Sequence, residues 1–337
     1  MPSEALSLPP AASLGRTLSR WLWTISTPVL VLSVLPHWAA DHWLLDLTTH
    51  FAMPCALTLA AATLLFALLG RKFAALVMLF GAALCGHRLS PLYLPVAPTG
   101  ASQSTTLRAI VANASVENPT PERLCEWIER EQPDVFAVLE YSPLHQRALE
   151  PLRARYPHAI EAVQADPFGI ALFSRLPLQE ARRTTLGSPI AQAVFAVVEV
   201  NGARIGIGAA HPVPPISKDY SAARNLGFEQ LVGELARLPR SRVVLADLNA
   251  TQWSAAFRRL LADSSMRDGC EGFGFQGSWP AVLPALLRIP IDHVLVSEDL
   301  VVTRRELGPD VGSDHLPVVA EFAIATASVS EGQPRRR

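Results

Sequence analysis

Eight side chains in this 337-residue chain share one habit: each stands where a short apolar run stops or starts. They are the carboxylates Glu140, Asp247, Asp292 and Asp314, the amides Asn113 and Asn249, and the imidazoles His211 and His315. Hard oxygen ligands suit Mg²⁺ or Mn²⁺, and Mg²⁺ usually takes one or two carboxylates while keeping waters beside a substrate phosphate. The chemistry such a set supports is phosphate-ester hydrolysis. One carboxylate binds the metal, another positions the attacking water, and a carboxylate-paired His meets charge developing on the phosphoryl oxygens. No cysteine cluster and no GxSxG elbow competes. Taken singly, each residue has a plainer reading. Asp247-Leu248-Asn249 alone is a turn, since Asx side chains bond their own backbone. His293 reads as a structural neighbour, and His145, His158, His37, His42 and His50 as solvent-facing or interfacial rather than catalytic.

The elements that must position these residues are legible from pattern. Runs rich in Val, Ile, Leu and Ala cover 108–113, 134–140, 204–211 and 242–249 and end at the polar residues; two more, from 291 and over 316–322, begin beside them. Continuous apolar runs of this length suit strands buried on both faces. Between them, Thr120-Pro121 caps a helix whose apolar face is Leu124, Trp127 and Ile128, ending before Pro133. A second helix is expected over 222–238 with Leu226, Leu231, Leu235 and Leu238 inside. Runs 192–200 and 203–210 are joined by Asn201-Gly202, a hairpin turn. Helices between strands, with hairpins among them, predict a layered α/β or α+β domain built on mixed sheets.

The order Asn113, Glu140 in PDVFAVLEYSP, His211 in AAHPVPP, Asp247 and Asn249 in VVLADLNAT, Asp292 in IDHVLVS and Ser313-Asp314-His315 resembles the endonuclease/exonuclease/phosphatase superfamily. GIALFSRLPL at 169–178 is also typical of it, and the resemblance covers about 107–323. It implies a two-sheet α/β sandwich flanked by helices, with the site at one edge. It further implies Glu140 as principal metal ligand with Asn113 and Asp314 near the ion, and Asp247 orienting or deprotonating water with help from Asn249. His315, paired with Asp292, would contact the phosphate, and His211 would stabilise phosphoryl charge or assist the leaving group. Two positions depart from the nucleases of the family: Ser115 stands where an Asp ligand is common. His211 replaces a phosphate-binding Tyr, which looks more like the phosphatase and deoxyribonuclease I branches.

Half of the residues are hydrophobic and 18% are charged, which excludes a disordered chain and points part of this one into lipid. Cys55, Cys85, Cys125 and Cys270 are too widely spaced for a disulfide scaffold or a CxxC metal site. Apolar runs at about 21–38, 51–69 and 73–96 approach the ~20 residues that cross a bilayer as a helix. Trp21, Trp23 and Trp38 stand at the ends of the first, at headgroup level. The charges Arg16, Arg20, Arg71 and Lys72 fit three spans no better than two, and the apolar length of 73–96 decides for three. The expected organisation is a cytoplasmic N-terminus (1–20), a transmembrane region (21–96), a linker (97–106), a catalytic domain (107–323) outside the cytoplasm and a disordered tail (324–337). The protein would then be a multi-pass inner-membrane protein, and three such segments resemble the superfamily's membrane-anchored branch, which includes proteins associated with glycopeptide-antibiotic resistance. From Leu107 onward 24 Lys and Arg face 27 Asp and Glu, a net of −3 with one lysine, Lys218. That disfavours nucleic acid as the partner. The leading substrate is a phosphorylated small molecule or lipid at the bilayer; a nuclease is second and a non-catalytic membrane scaffold third.

Overall fold

The computed structural model describes residues 11–35, 42–95 and 101–325. Expectations for residues 1–10, His37, Trp38, linker positions 97–100 and the tail from 326 lie outside the described residues. The chain divides into two compact units, Met1–Pro91 and Leu92–Arg337.

The first unit holds helices α1 (Ala11–Val34), α2 (Trp43–Thr49), α3 (Ala52–Leu68) and α4 (Lys72–Leu89), of which α1, α3 and α4 pack around fully buried Leu59, Phe66 and Met78. The expected first span is helical to Val34, with Pro28 inside, and the second is α3, about 25 Å long at 1.5 Å per residue. Among the described residues one helix, Lys72–Leu92, is long and apolar enough to cross a membrane, or two if the bent pair Trp43–Thr49 and Ala52–Leu68 counts as one span. Arg16 and Arg20 near the start of α1 and Arg71 and Lys72 at the start of α4 line one cavity of about 440 Å³ with Trp23.

The second unit holds two six-stranded mixed sheets. The first contains β1 (Ala101–Asn113), β2 (Val135–Leu139), β3 (His158–Ala162), β4 (Ile170–Ser174), β11 (Leu300–Leu307) and β12 (Val318–Ala325), in the order β11-β12-β1-β2-β4-β3. The second contains β5 (Gln179–Thr185), β6 (Gln192–Val200), β7 (Ala203–Ala210), β8 (Arg242–Asp247), β9 (Met266–Asp268) and β10 (Asp292–Ser297), in the order β5-β6-β7-β8-β10-β9. Val111, Ala137 and Leu172 of the first sheet meet Ile207, Leu245 and Val294 of the second in a core shared between the sheets. The opposite faces are covered by α5 (Glu122–Glu131) with Leu149 and Leu152, which follow α6 (Pro143–Ala148), on the first sheet and by α7 (Lys218–Leu235) and α8 (Ala255–Ser264) on the second. Both faces of the central strands are therefore dry, which is why they read as unbroken apolar runs rather than alternating ones.

Three details differ from the sequence expectation. β1 begins at Ala101, inside the expected linker, because it pairs with β12 out to Ala325, two residues into the expected tail. α7 begins four residues early, where Ser217 accepts from the Tyr220 amide as N-cap. Its buried stripe is Ser221, Arg224, Phe228, Leu231 and Leu235, and Leu226, expected inside, is 46% exposed, being nine residues and so half a revolution from Leu235. The hairpin stands as expected, with Val200 opposite Ala203 and both Asn201 and Gly202 at positive φ.

Candidate active site

Pairing gathers the polar residues at one end of both sheets. β1 runs parallel to β2 with Asn113 opposite Leu139, so Asn113 and Glu140 emerge side by side. In the other sheet β7 runs parallel to β8 and β10 antiparallel to it, which sets Asp292 directly opposite Asp247 and brings His211 off the adjoining strand end. Glu140 and Asn249 both turn out of their strands with positive φ, 57° and 49°. A non-glycine residue held there costs about 1–3 kcal/mol and persists only where its surroundings over-determine it. Here they do. The Val116 amide donates to Glu140 Oε2 (2.8 Å), the Asn249 amide to Asp247 Oδ1 (2.9 Å), and Asn249 Nδ2 to the Pro212 carbonyl (3.0 Å).

The buried centre is a chain of acids and imidazoles. His315 Nδ1 donates to Asp292 Oδ2 at 2.8 Å, and its Nε2 lies 3.8 Å from Asp247 Oδ2. His211 Nε2 lies 3.4 Å from the same oxygen, which also accepts from Asn113 Nδ2 at 3.1 Å. A second Asn113 N–H reaches Glu140 Oε1 at 3.1 Å, so one amide links the two carboxylates across the sheets. Its own oxygen accepts from the Ser115 amide (3.0 Å) and therefore faces away from the acids. Ser313, whose hydroxyl donates to the Asn113 carbonyl and accepts from the His315 amide, fixes the approach to β12.

Burial alone would lower the His315 imidazole, but Asp292, with Asp247 and Asp314 beyond it, more than offsets that and raises it to about 10. The same opposition, burial against Asp247 and then Glu140, leaves His211 above its ordinary value. Asp247 is held well below the usual carboxylate range: burial opposes its charge, but His211 and His315 stabilise it more.

Asp247, Asp292 and His315 each present a possible ligand atom within 4.8 Å of the others. Asp292 Oδ1 and His211 Nδ1 are buried without a hydrogen-bond partner. An anionic oxygen shielded from water and lacking a donor is costly unless a cation meets it, and an oxygen-rich donor set suits a hard divalent ion. The residues thus fit a divalent metal.

Not every expected residue joins this centre. Asp314 is exposed, and its Oδ2 accepts from the Trp279 indole (3.0 Å). His293 is structural as expected, bonded to Asp268 (3.2 Å) and the Ala250 carbonyl (2.8 Å). His145, expected in solvent, is fully buried and closes a capping box with Ser142 at the start of α6, a local bond that outweighs the preference of imidazole for water. Sequence reasoning passed over Trp279, whose ring lies 6.3 Å from His315, and Phe168, 5.9 Å from His211. Phe168 at least precedes the GIALFSRLPL segment; Trp279 carried no signal.

Residues 110–315 match the model of the Endonuclease/Exonuclease/phosphatase family. No curated protein matches the chain. Among solved structures, an endonuclease/exonuclease/phosphatase from Beutenbergia cavernae superposes with a TM-score of 0.54 at 20% identity, over 67% of this chain and 73% of its own. TDP2 of D. rerio, complexed with a single-strand DNA product, gives 0.54 at 17% over 64% and 98%. Sphingomyelinase C from Streptomyces griseocarneus gives 0.50 at 18% over 64% and 99%. At these identities the likeness is one of fold.

Proposed function

The chain belongs to the Endonuclease/Exonuclease/phosphatase family, whose members are metal-dependent phosphoric ester hydrolases, and from that premise we propose a membrane-anchored, Mg²⁺-dependent phosphoesterase that hydrolyses a lipid-linked phosphate ester or pyrophosphate. The observation that carries the hydrolytic part is the buried Asp292–His315 pair facing Asp247 at the shared edge of the two sheets. The membrane part is supported by the apolar helix Lys72–Leu92 and by the convergence of Arg16, Arg20, Arg71 and Lys72 on one cavity. Four cations at one end of a helical unit are what a cytoplasm-facing end requires, and an odd number of spans would put the catalytic unit on the far side. The apolar segments ahead of the domain resemble the superfamily's membrane-anchored branch, which includes proteins associated with glycopeptide-antibiotic resistance.

Glu140 would hold the ion, with Asp292, whose Oδ1 is buried without a partner, as a second oxygen donor, and Asn113 would orient Glu140 through its N–H. A bound divalent cation supplies positive charge where the phosphoryl oxygens gain negative charge. Asp247, held strongly ionised, is a poor proton acceptor and a good orienter, so it aligns the attacking water through a hydrogen bond, with Asn249 completing the turn that fixes it. His315, raised to about 10 by its acid neighbours, is a donor at neutral pH, and Asp247 shifts His211 in the same direction, towards its protonated form. His315 Nε2–H is directed at a phosphoryl oxygen, and Asp292 keeps its tautomer. His211 gives its proton to the leaving oxygen as the P–O bond to the alcohol or phosphate breaks.

The test uses the full chain in lipid nanodiscs with a polyprenyl pyrophosphate or with plasmid DNA, each with Mg²⁺ and with EDTA. EDTA-sensitive release of phosphate from the lipid, with DNA intact, is expected. Cleavage of DNA with the lipid untouched would return the nuclease reading.

A further inference from the structure

Beside the site, residues 279–287 (WPAVLPALL) form a lobe without a charged side chain. Four large apolar side chains on it open to the surface: Val282 is 89% exposed, Leu286 50%, Leu287 45% and Leu283 37%. A surface loop ordinarily leaves its backbone to water; this one satisfies much of its backbone itself. The Leu283 amide donates to the Pro280 carbonyl (3.0 Å) and the Leu287 amide to the Pro284 carbonyl (2.8 Å), while Pro280 and Pro284 have no N–H to satisfy. Arg288 turns inward and donates to the Leu283 carbonyl (2.7 Å) and the Ala281 carbonyl (2.9 Å). Trp279 and Ile289 exchange backbone bonds at the stem. Apolar side chains outside and internally bonded peptide groups inside are the combination that can enter an apolar medium without stranding polar groups.

The lobe is joined to the chemistry. The Ala281 amide donates to the Asp314 carbonyl (2.7 Å), and the Trp279 indole bonds the Asp314 carboxylate next to His315. Five residues before Trp279, the Gly274 amide donates to the carbonyl of Leu92 (2.7 Å).

We infer that residues 280–287 dip into the bilayer surface and hold the site against it, so that a substrate's apolar chain stays in lipid while its phosphate reaches His315. The inference rests on the membrane part of the proposed function and narrows the substrate to amphiphiles presented in a bilayer. No segment of a soluble partner is required, since the lobe's bonded backbone offers little for a peptide strand to pair with.

Two measurements test it, both on the full chain in phosphatidylglycerol–phosphatidylcholine nanodiscs. In the first, a fluorophore on Val282→Cys is compared with one on Glu199→Cys, an exposed residue at the far end of the β6–β7 hairpin, for quenching by spin-labelled lipid; no substrate is present. Strong quenching at position 282 and little at 199 is expected, and equal quenching at both overturns the inference whatever the enzyme hydrolyses. In the second, the triple variant Val282→Ser, Leu286→Ser, Leu287→Ser is assayed. Its kcat/KM on a polyprenyl pyrophosphate in the nanodisc should fall on the order of 10-fold, while turnover of a short soluble phosphate ester stays at the level of the unsubstituted chain. Loss on both substrates alike, or on neither, overturns the delivery role. Selective quenching in a chain that hydrolyses no lipid phosphate would leave the lobe in the bilayer and remove the proposed function instead.

Discussion

At the scale of single residues Asp247 on one side and the imidazoles of His211 and His315 on the other favour one another's charged forms, and each member of the site has a distinct signature when removed. Glu140→Gln keeps the shape but not the anion, and kcat on a soluble phosphate ester with Mg²⁺ should fall by on the order of 10³ or more, with the unfolding midpoint little changed. Undiminished turnover would take Glu140 out of the metal site. His315→Ala and Asp292→Ala each remove one half of a 2.8 Å pair. Their losses in kcat/KM should therefore be strongly sub-additive, and a double variant that multiplies the two single losses would dissolve the pair. Away from the site, Asp268 is buried against His293 and the Cys270 amide. Burial opposes its charge but His293 and Arg305 dominate, and it is held at about 2. Its folded value lies below the unfolded value of ~3.9, so the stabilisation is present above about pH 4 and is lost as pH falls through about 2. It amounts to roughly 2 kcal/mol. Asp268→Asn should lower the urea midpoint at pH 7 and flatten the dependence of stability on pH between about 4 and 2; an unchanged acid limb would deny Asp268 that role.

At the scale of elements, the strands were easy to read and one helix face was not. Strands buried on both sides announce themselves as apolar runs, and the residues that close them are polar because they lie at the sheet ends, where the site is. α7 starts one turn before the expected helix because its cap, Ser217, lies upstream of the first apolar residue, and Leu226, nine residues from Leu235 and so on the opposite side at about 100° per residue, lies on the outer face. Leu226→Gln should change stability by less than about 0.5 kcal/mol, whereas Leu231→Ala, emptying a site under the second sheet, should cost about 2–5 kcal/mol in urea unfolding. Equal costs would mean that α7 packs on the face the sequence suggested. The buried Arg224 on that helix reaches the Asn249 carbonyl (3.4 Å) and Asn225 (2.9 Å), so α7 also braces the turn that carries Asn249.

For the whole molecule, the expectation is that residues from Ala101 onward fold and hydrolyse a soluble ester without the first unit, because both sheets, their helices and every site residue lie within that span. Aggregation of this fragment in the absence of detergent would make the helices part of its core. The orientation is tested separately: an alkaline phosphatase fused after Pro98 should be active and a green fluorescent protein dark, and the reverse would return the site to the cytoplasm. The amino-acid sequence by itself determined the metal-and-phosphate chemistry, the strands and hairpin that carry it, and the division into an apolar first part and a catalytic second. These follow from residue type and local period, which act over a few positions. Only the tertiary structure decided which acids meet. Asn113 and Asp247, 134 residues apart, touch because two different sheets end at the same edge, and Asp292 faces Asp247 through antiparallel register. It also turned Asp314 outward onto Trp279, buried His145 and paired Asp268 with His293. Such outcomes depend on long-range pairing and on what each side chain finds once water is excluded, and neither is written in the spacing of one segment.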